Sequence, residues 1–101
     1  MNRKEALDAA ARCVLQDRNA SYGGPEESFG IVSDLWTTIL RPILKEDASV
    51  SASQVAMCMI GLKLGRLIHN PTHEDSITDV IGYGSCLAEL ATNAREAGGE
   101  K

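Results

Sequence analysis

The sequence predicts an all-α fold, a four-helix bundle-like subunit that gains from association with further copies. Hydrophobic residues make up 44% of the 101 residues, which excludes a disordered chain, while aromatics supply only 4%. Alanine and leucine are plentiful and β-branched runs are few. Apolar residues recur at i, i+3 and i+4 in successive stretches separated by turn signals. A single domain of this size, residues 1–101, buries a limited core, so a homo-oligomer, dimer or tetramer, is expected.

The first helix is expected over about residues 3–18, where Ala6, Ala9, Ala10, Cys13 and Val14 share one face. Asn19 to Gly24 reads as a loop. Pro25 suits the first position of a second helix, about 25–45, with Glu26 and Glu27 complementing its positive end. Its stripe is Phe29, Val32, Trp36, Ile39, Leu40 and Ile43, and Pro42 kinks or ends it near Leu40. Ser51 and Gln54 fit a capping box that starts a third helix, about 51–69. The nearly continuous apolar run Val55–Leu62 predicts a central helix buried on most sides. Gly61 and Gly65 lie four apart on it and permit close approach of another backbone, by analogy with small-residue contacts in membranes. After Asn70-Pro71, Thr72 is the expected N-cap of a fourth helix, about 72–96, carried by Ile77, Val80, Ile81, Leu87, Ala88 and Ala91. Gly82 and Gly84 each cost about 1 kcal/mol relative to alanine, which points to close packing or ligand access there.

The formal net charge of −4 argues against a nucleic acid polymer as partner but is compatible with an acidic metal site. The odd number and wide spacing of Cys13, Cys58 and Cys86 argue against a disulfide framework and for buried thiols in a reducing cytoplasm. Neither a zinc spacing nor a run of about 18 apolar residues is present, and the first residues do not read as a signal peptide, so neither a membrane span nor export is expected.

Chemistry concentrates in Lys63–Tyr83, KLGRLIHNPTHEDSITDVIGY. Asp75 and Asp79 stand at i and i+4, so both carboxylates leave one helix face. Oxygen donors in that arrangement suit Mg²⁺ or Mn²⁺, with a further carboxylate from a neighbouring helix. The plainer alternative has Glu74 and Asp75 complementing the helix dipole and Asp79 pairing with Lys63 or Arg66. Those two cations share a face at i and i+3 and suit phosphate, or else satisfy the last carbonyls of their helix. His69 and His73 flank Asn70-Pro71-Thr72 without the HExxH helical spacing, so zinc is not indicated; hydrogen bonding or a base contact is. Tyr22-Gly23-Gly24 precedes a helix start, where a backbone can approach an anion and Tyr22 can stack on a base or act as a hydrophobic staple. No GxSxG elbow supports a serine nucleophile.

Three pieces resemble small phage and prophage proteins of the all-α MazG-like nucleotide pyrophosphohydrolase type: Ser21-Tyr22-Gly23-Gly24-Pro25 ahead of a helix ending in Leu35-Trp36, Leu62-Lys63-Leu64-Gly65-Arg66-Leu67, and Asp75-Ser76-Ile77-Thr78-Asp79-Val80-Ile81-Gly82-Tyr83. The resemblance implies an oligomeric enzyme that uses Mg²⁺ or Mn²⁺ to cleave a (deoxy)nucleoside triphosphate to monophosphate and pyrophosphate. Asp75 and Asp79 would hold the metal with a carboxylate of the second helix, Glu26, Glu27 or Asp34, of which Glu27 is taken as the third catalytic, metal-holding residue. Tyr22, Lys63, Arg66, His69, Asn70 and His73 would contact substrate. In a phage the protein would work in the host cytoplasm. The sequence departs from the family at its ExxE, where Lys63 and Arg66 stand in place of two glutamates, and at ExxD, where Ser76 replaces the glutamate. That departure favours a second expectation, a non-catalytic nucleotide-binding protein acting as a sponge. A third is a helical protein-interaction module.

Overall fold

The computed structural model describes residues 1–18 and 23–98. These residues form helices and turns and contain no strand. Helix α1 spans Arg3–Arg12 and continues as a π-helix over Cys13–Arg18; α2 spans Pro25–Leu40 and tightens into a 3₁₀ turn at Arg41–Ile43; α3 spans Ala52–His69; α4 spans Glu74–Gly98.

Local chemistry explains most boundaries. Asn2 and Glu5 form a reciprocal capping box at α1, and Ser51 and Gln54 form the expected one at α3. Pro25 occupies the start of α2, where a missing N–H costs nothing. The α-helix gives way to 3₁₀ geometry at Arg41, one residue before Pro42. The connection to α3 is held by side chains: the Thr37 hydroxyl accepts from Val50 N–H at 2.8 Å, and Arg41 Nη1 donates to the Lys45 and Glu46 carbonyls at 3.1 and 3.0 Å. The expected Thr72 cap is displaced by one residue. His73 Nδ1 accepts from Ser76 N–H at 3.3 Å and lies 2.8 Å from Ser76 Oγ, so the imidazole caps α4.

Helix α4 is the hub. It packs along α3 and also touches α1, α2 and the π-helix, whereas α1 packs on α4 and not on α2 or α3. The core is small: Phe29, Val55, Ala56, Cys86 and Leu90, with Val32, Trp36, Met59 and Tyr83 among its partly buried surroundings. Phe29 and Tyr83 meet as tilted rings with centroids 5.9 Å apart.

The central position expected for α3 therefore belongs to α4. Only Val55 and Ala56 of α3 are buried, and Met57, Leu62, Leu64 and Ile68 are exposed, because α3 meets neighbours on one side only. The expected α2 stripe is likewise split, with Phe29 buried and Ile39 and Ile43 exposed. The three thiols are free, but only Cys86 is buried; Cys13 is half-buried and Cys58 exposed. A radius of gyration of 14.9 Å, against about 13 Å for a compact chain of this length, fits a bundle with uncovered faces.

Gly82 and Gly84 have different meanings. A Cβ at Gly82 would lie 2.9 Å from Val14 Cγ2, so glycine lets the π-helix approach α4, while a Cβ at Gly84 meets nothing within 4 Å. Gly84→Ala should stabilise the fold by about 1 kcal/mol through helix propensity. Gly82→Ala should destabilise it by about 1–3 kcal/mol through overpacking, and urea unfolding of the two variants would reveal these opposite signs.

Candidate functional site

The α3–α4 turn brings together much of the polar segment noted in the sequence. Lys63 Nζ lies 3.0 Å from Asp79 Oδ2, with the lysine side chain 11% and the aspartate 30% exposed. Of the two cations offered by the sequence as partners for Asp79, Lys63 makes the contact. Arg66, one turn on, is exposed, and its carbonyl accepts from Asn70 N–H at 2.8 Å to close the helix. His69 and Asn70 are exposed on the turn, and His73 is engaged with Ser76, whose side chain is buried.

Asp79 also lines a cavity of about 20 Å³ with Cys13, Val14, Thr78, Gly82, Tyr83 and Cys86. That volume holds about one water molecule. A larger hollow of about 370 Å³ shares Val14 and Cys86 with it and adds Leu15, Gly24, Pro25, Ser85 and Glu89. The larger hollow lies between the π-helix, α4 and the start of α2 and falls within the size range of small-molecule sites, while Asp79 lines only the water-sized cavity beside it. The π-helix supplies one wall, and such turns recur at functional sites. Cys13, Thr78 and Tyr83 escaped the sequence reading because their roles depend on packing between α1 and α4. The glycine at 82 was the one local signal of that approach.

The three expected metal donors are not assembled. Asp75 is exposed, and its neighbour Glu74 lies 3.2 Å from the Met1 amino group. Glu27 folds over Gly23, whose φ is +79° and whose added Cβ would meet the Glu27 carboxylate at 3.1 Å. Glu26, beside it, accepts from Asn93 Nδ2 at 3.1 Å. Asn93 stands roughly four turns beyond Asp79 on α4, on the order of 20 Å along the axis, so Glu27 and Asp79 lie too far apart for one ion. Among the described residues no group of three histidine, cysteine or acidic side chains is placed to hold a metal. Asp75, Asp79 and Glu27, as placed in the described residues, thus do not make a shared set of donors for Mg²⁺ or Mn²⁺. Tyr22 lies outside the described residues.

A family model described as a domain of unknown function, DUF6378, matches residues 5–91. The chain belongs to this family. It is 32% identical over 84 residues to the Gene 55 protein of Mycobacterium phage D29, covering 83% of this chain and 52% of that protein. With the Gene 55 protein of Mycobacterium phage L5 it shares 27% identity over 84 residues, covering 83% of this chain and 51% of the relative. The chain spans about half the length of these curated relatives. No solved structure matches it. The relatives agree with the phage side of the resemblance, and their names state no activity. Among the described residues no helix is long and apolar enough to cross a membrane.

The ion pair yields an asymmetric prediction. Asp79→Ala strands an ammonium with little access to water and should cost about 1–3 kcal/mol, less than a fully buried pair because the carboxylate is partly hydrated. Lys63→Met should cost less, since water reaches the remaining carboxylate more readily and the aliphatic stem is kept. Denaturant midpoints of the two variants at neutral pH would check the order.

Proposed function

We propose that this DUF6378 chain is a nucleotide-binding protein that does not assemble a catalytic metal centre from its own carboxylates. One observation carries the reading: Asp79 is held by Lys63 at a small cavity that shares Val14 and Cys86 with a hollow of ligand size, while Glu27 folds over Gly23 at the start of α2. In this arrangement Asp79 acts as a hydrogen-bond acceptor oriented by Lys63, suited to a nucleoside hydroxyl or exocyclic amine. Arg66 is the cation left to meet phosphate, with His69 and Asn70 beside it on the turn. The nucleoside body packs in the larger hollow, against Val14, Leu15 and Pro25. The resemblance of three sequence pieces to MazG-like proteins supports the choice of a nucleotide as ligand. The working form is a homo-oligomer, as a core this small favours.

Metal-dependent pyrophosphohydrolysis is the competing activity, with the position of Asp79 in the ExxD-like segment in its favour. It requires carboxylates beyond those the described residues gather.

The test is a panel of ribo- and deoxynucleoside triphosphates, with and without Mg²⁺ or Mn²⁺, read both by calorimetric binding and by chromatography of products. Saturable binding without product, weakened about tenfold or more in Arg66→Ala, is the expected result. An exposed arginine can be removed with little effect on folding. Monophosphate and pyrophosphate that appear with metal and vanish in Asp79→Ala would replace binding with hydrolysis. Absence of both binding and turnover in the folded wild type would overturn the nucleotide reading.

A further inference from the structure

The uncovered face of α3 has a shape that fits a second copy of itself. Met57, Gly61, Leu64 and Ile68 stand at i, i+4, i+7 and i+11, a single row along the helix. Met57, Leu64 and Ile68 are 50%, 49% and 85% exposed. An added Cβ at Gly61 or at nearby Gly65 would meet nothing within 4 Å, so nothing within the chain calls for glycine at either position of this helix.

The row is self-complementary when reversed. In an antiparallel pairing that sets Leu64 of one copy against Gly61 of the other, the same register sets Met57 against Ile68. A branched side chain enters the space left by a missing one, and two long apolar side chains meet at each end. That reciprocity is the hallmark of a two-fold contact, in which residue i touches j and j touches i. Charge agrees with it. Helix α3 contains no acidic residue, Lys63 is paired within its own chain, and Arg66 is the remaining lysine or arginine. The antiparallel register holds the two Arg66 side chains about two turns apart, on the order of 10 Å along the axis, and opposes the two helix dipoles.

Enough surface is available. Next to the row, an apolar groove of about 490 Å³ runs from Met57 and Cys58 to Trp36, Leu40 and Leu44. Helix α2 and its 3₁₀ end also expose Ile39 and Ile43. Counted with the row, these side chains expose roughly 650 Å², and the groove adds to it toward the about 800 Å² per partner of a standard interface.

We infer that two copies of this chain associate through antiparallel α3 helices, with Leu64 of each seated over Gly61 of the other, and with the groove beside α2 flanking the contact. The inference specifies the contact of the proposed oligomer and stands independently of nucleotide binding.

Sedimentation velocity across a concentration series, without nucleotide, tests it. The wild type should sediment as a dimer. Leu64→Glu should shift it to monomer while far-ultraviolet circular dichroism stays helical. Gly61→Leu, which removes the cavity yet improves helix propensity, should weaken dimerisation at least tenfold. Leu7→Glu, a comparable change at an exposed leucine on α1, should remain dimeric. A wild type that stays monomeric at the highest soluble concentration, or a Leu64→Glu protein that dimerises as the wild type does, would overturn the inference. Because mass is read without ligand, either result leaves nucleotide binding as a separate question.

Discussion

An ammonium group drawn out of water must find a carboxylate, and in this chain the carboxylate is Asp79. Much else depends on that contact. It joins α3 to α4 near their shared turn. Below it, Val55 and Ala56 enter the core with Cys86 and Leu90. It also commits one oxygen of the acid that a divalent ion would need most. The carboxylate that looks most metal-like in the sequence is a structural partner first, and any ligand must share it with Lys63.

Features governed by neighbours in the chain were legible in advance. Ser51 and Gln54 announce a capping box within four residues, and Pro42 constrains the backbone just before it, so both boundaries could be read directly. What depended on distant parts of the chain was not. The apolar run Val55–Leu62 looks central because hydrophobicity records a demand for burial, not the identity of the surface that supplies it. The polar-flecked α4 became the hub because Ser76, Gly82 and Cys86 are small enough for other helices to approach. The shift of the α4 cap from Thr72 to His73 turned on an imidazole reaching the third residue beyond it, a role that serine, threonine and aspartate more often fill.

The candidate site divided along the same line. Lys63 with Asp79 was one of two pairings that the sequence offered, and the structure selects it. Glu27 entered as a metal donor because it stands in the first turn of a neighbouring helix. That adjacency is real, but α2 presents its first turn to Asn93 and not to Asp79. Spacing within one helix is written in the sequence; the height at which two helices cross is set by packing, here by Phe29 against Tyr83. Membership of DUF6378 and kinship with mycobacteriophage Gene 55 proteins place this arrangement within a phage lineage.

The π-helix at Cys13–Arg18 gives the groove an unusual genetic lever. A π turn accommodates about one residue more than an α turn, so the side chains after it are rotated relative to those before it. Val14 reaches Gly82, and Leu15 lines the hollow by Pro25, from within this widened turn. Loss of a single codon there would restore ordinary α geometry and remove the widened turn while leaving the helix beyond it nearly in phase. Length variation at one position, more than exchange of side chains, is therefore the economical route by which relatives could reshape this groove.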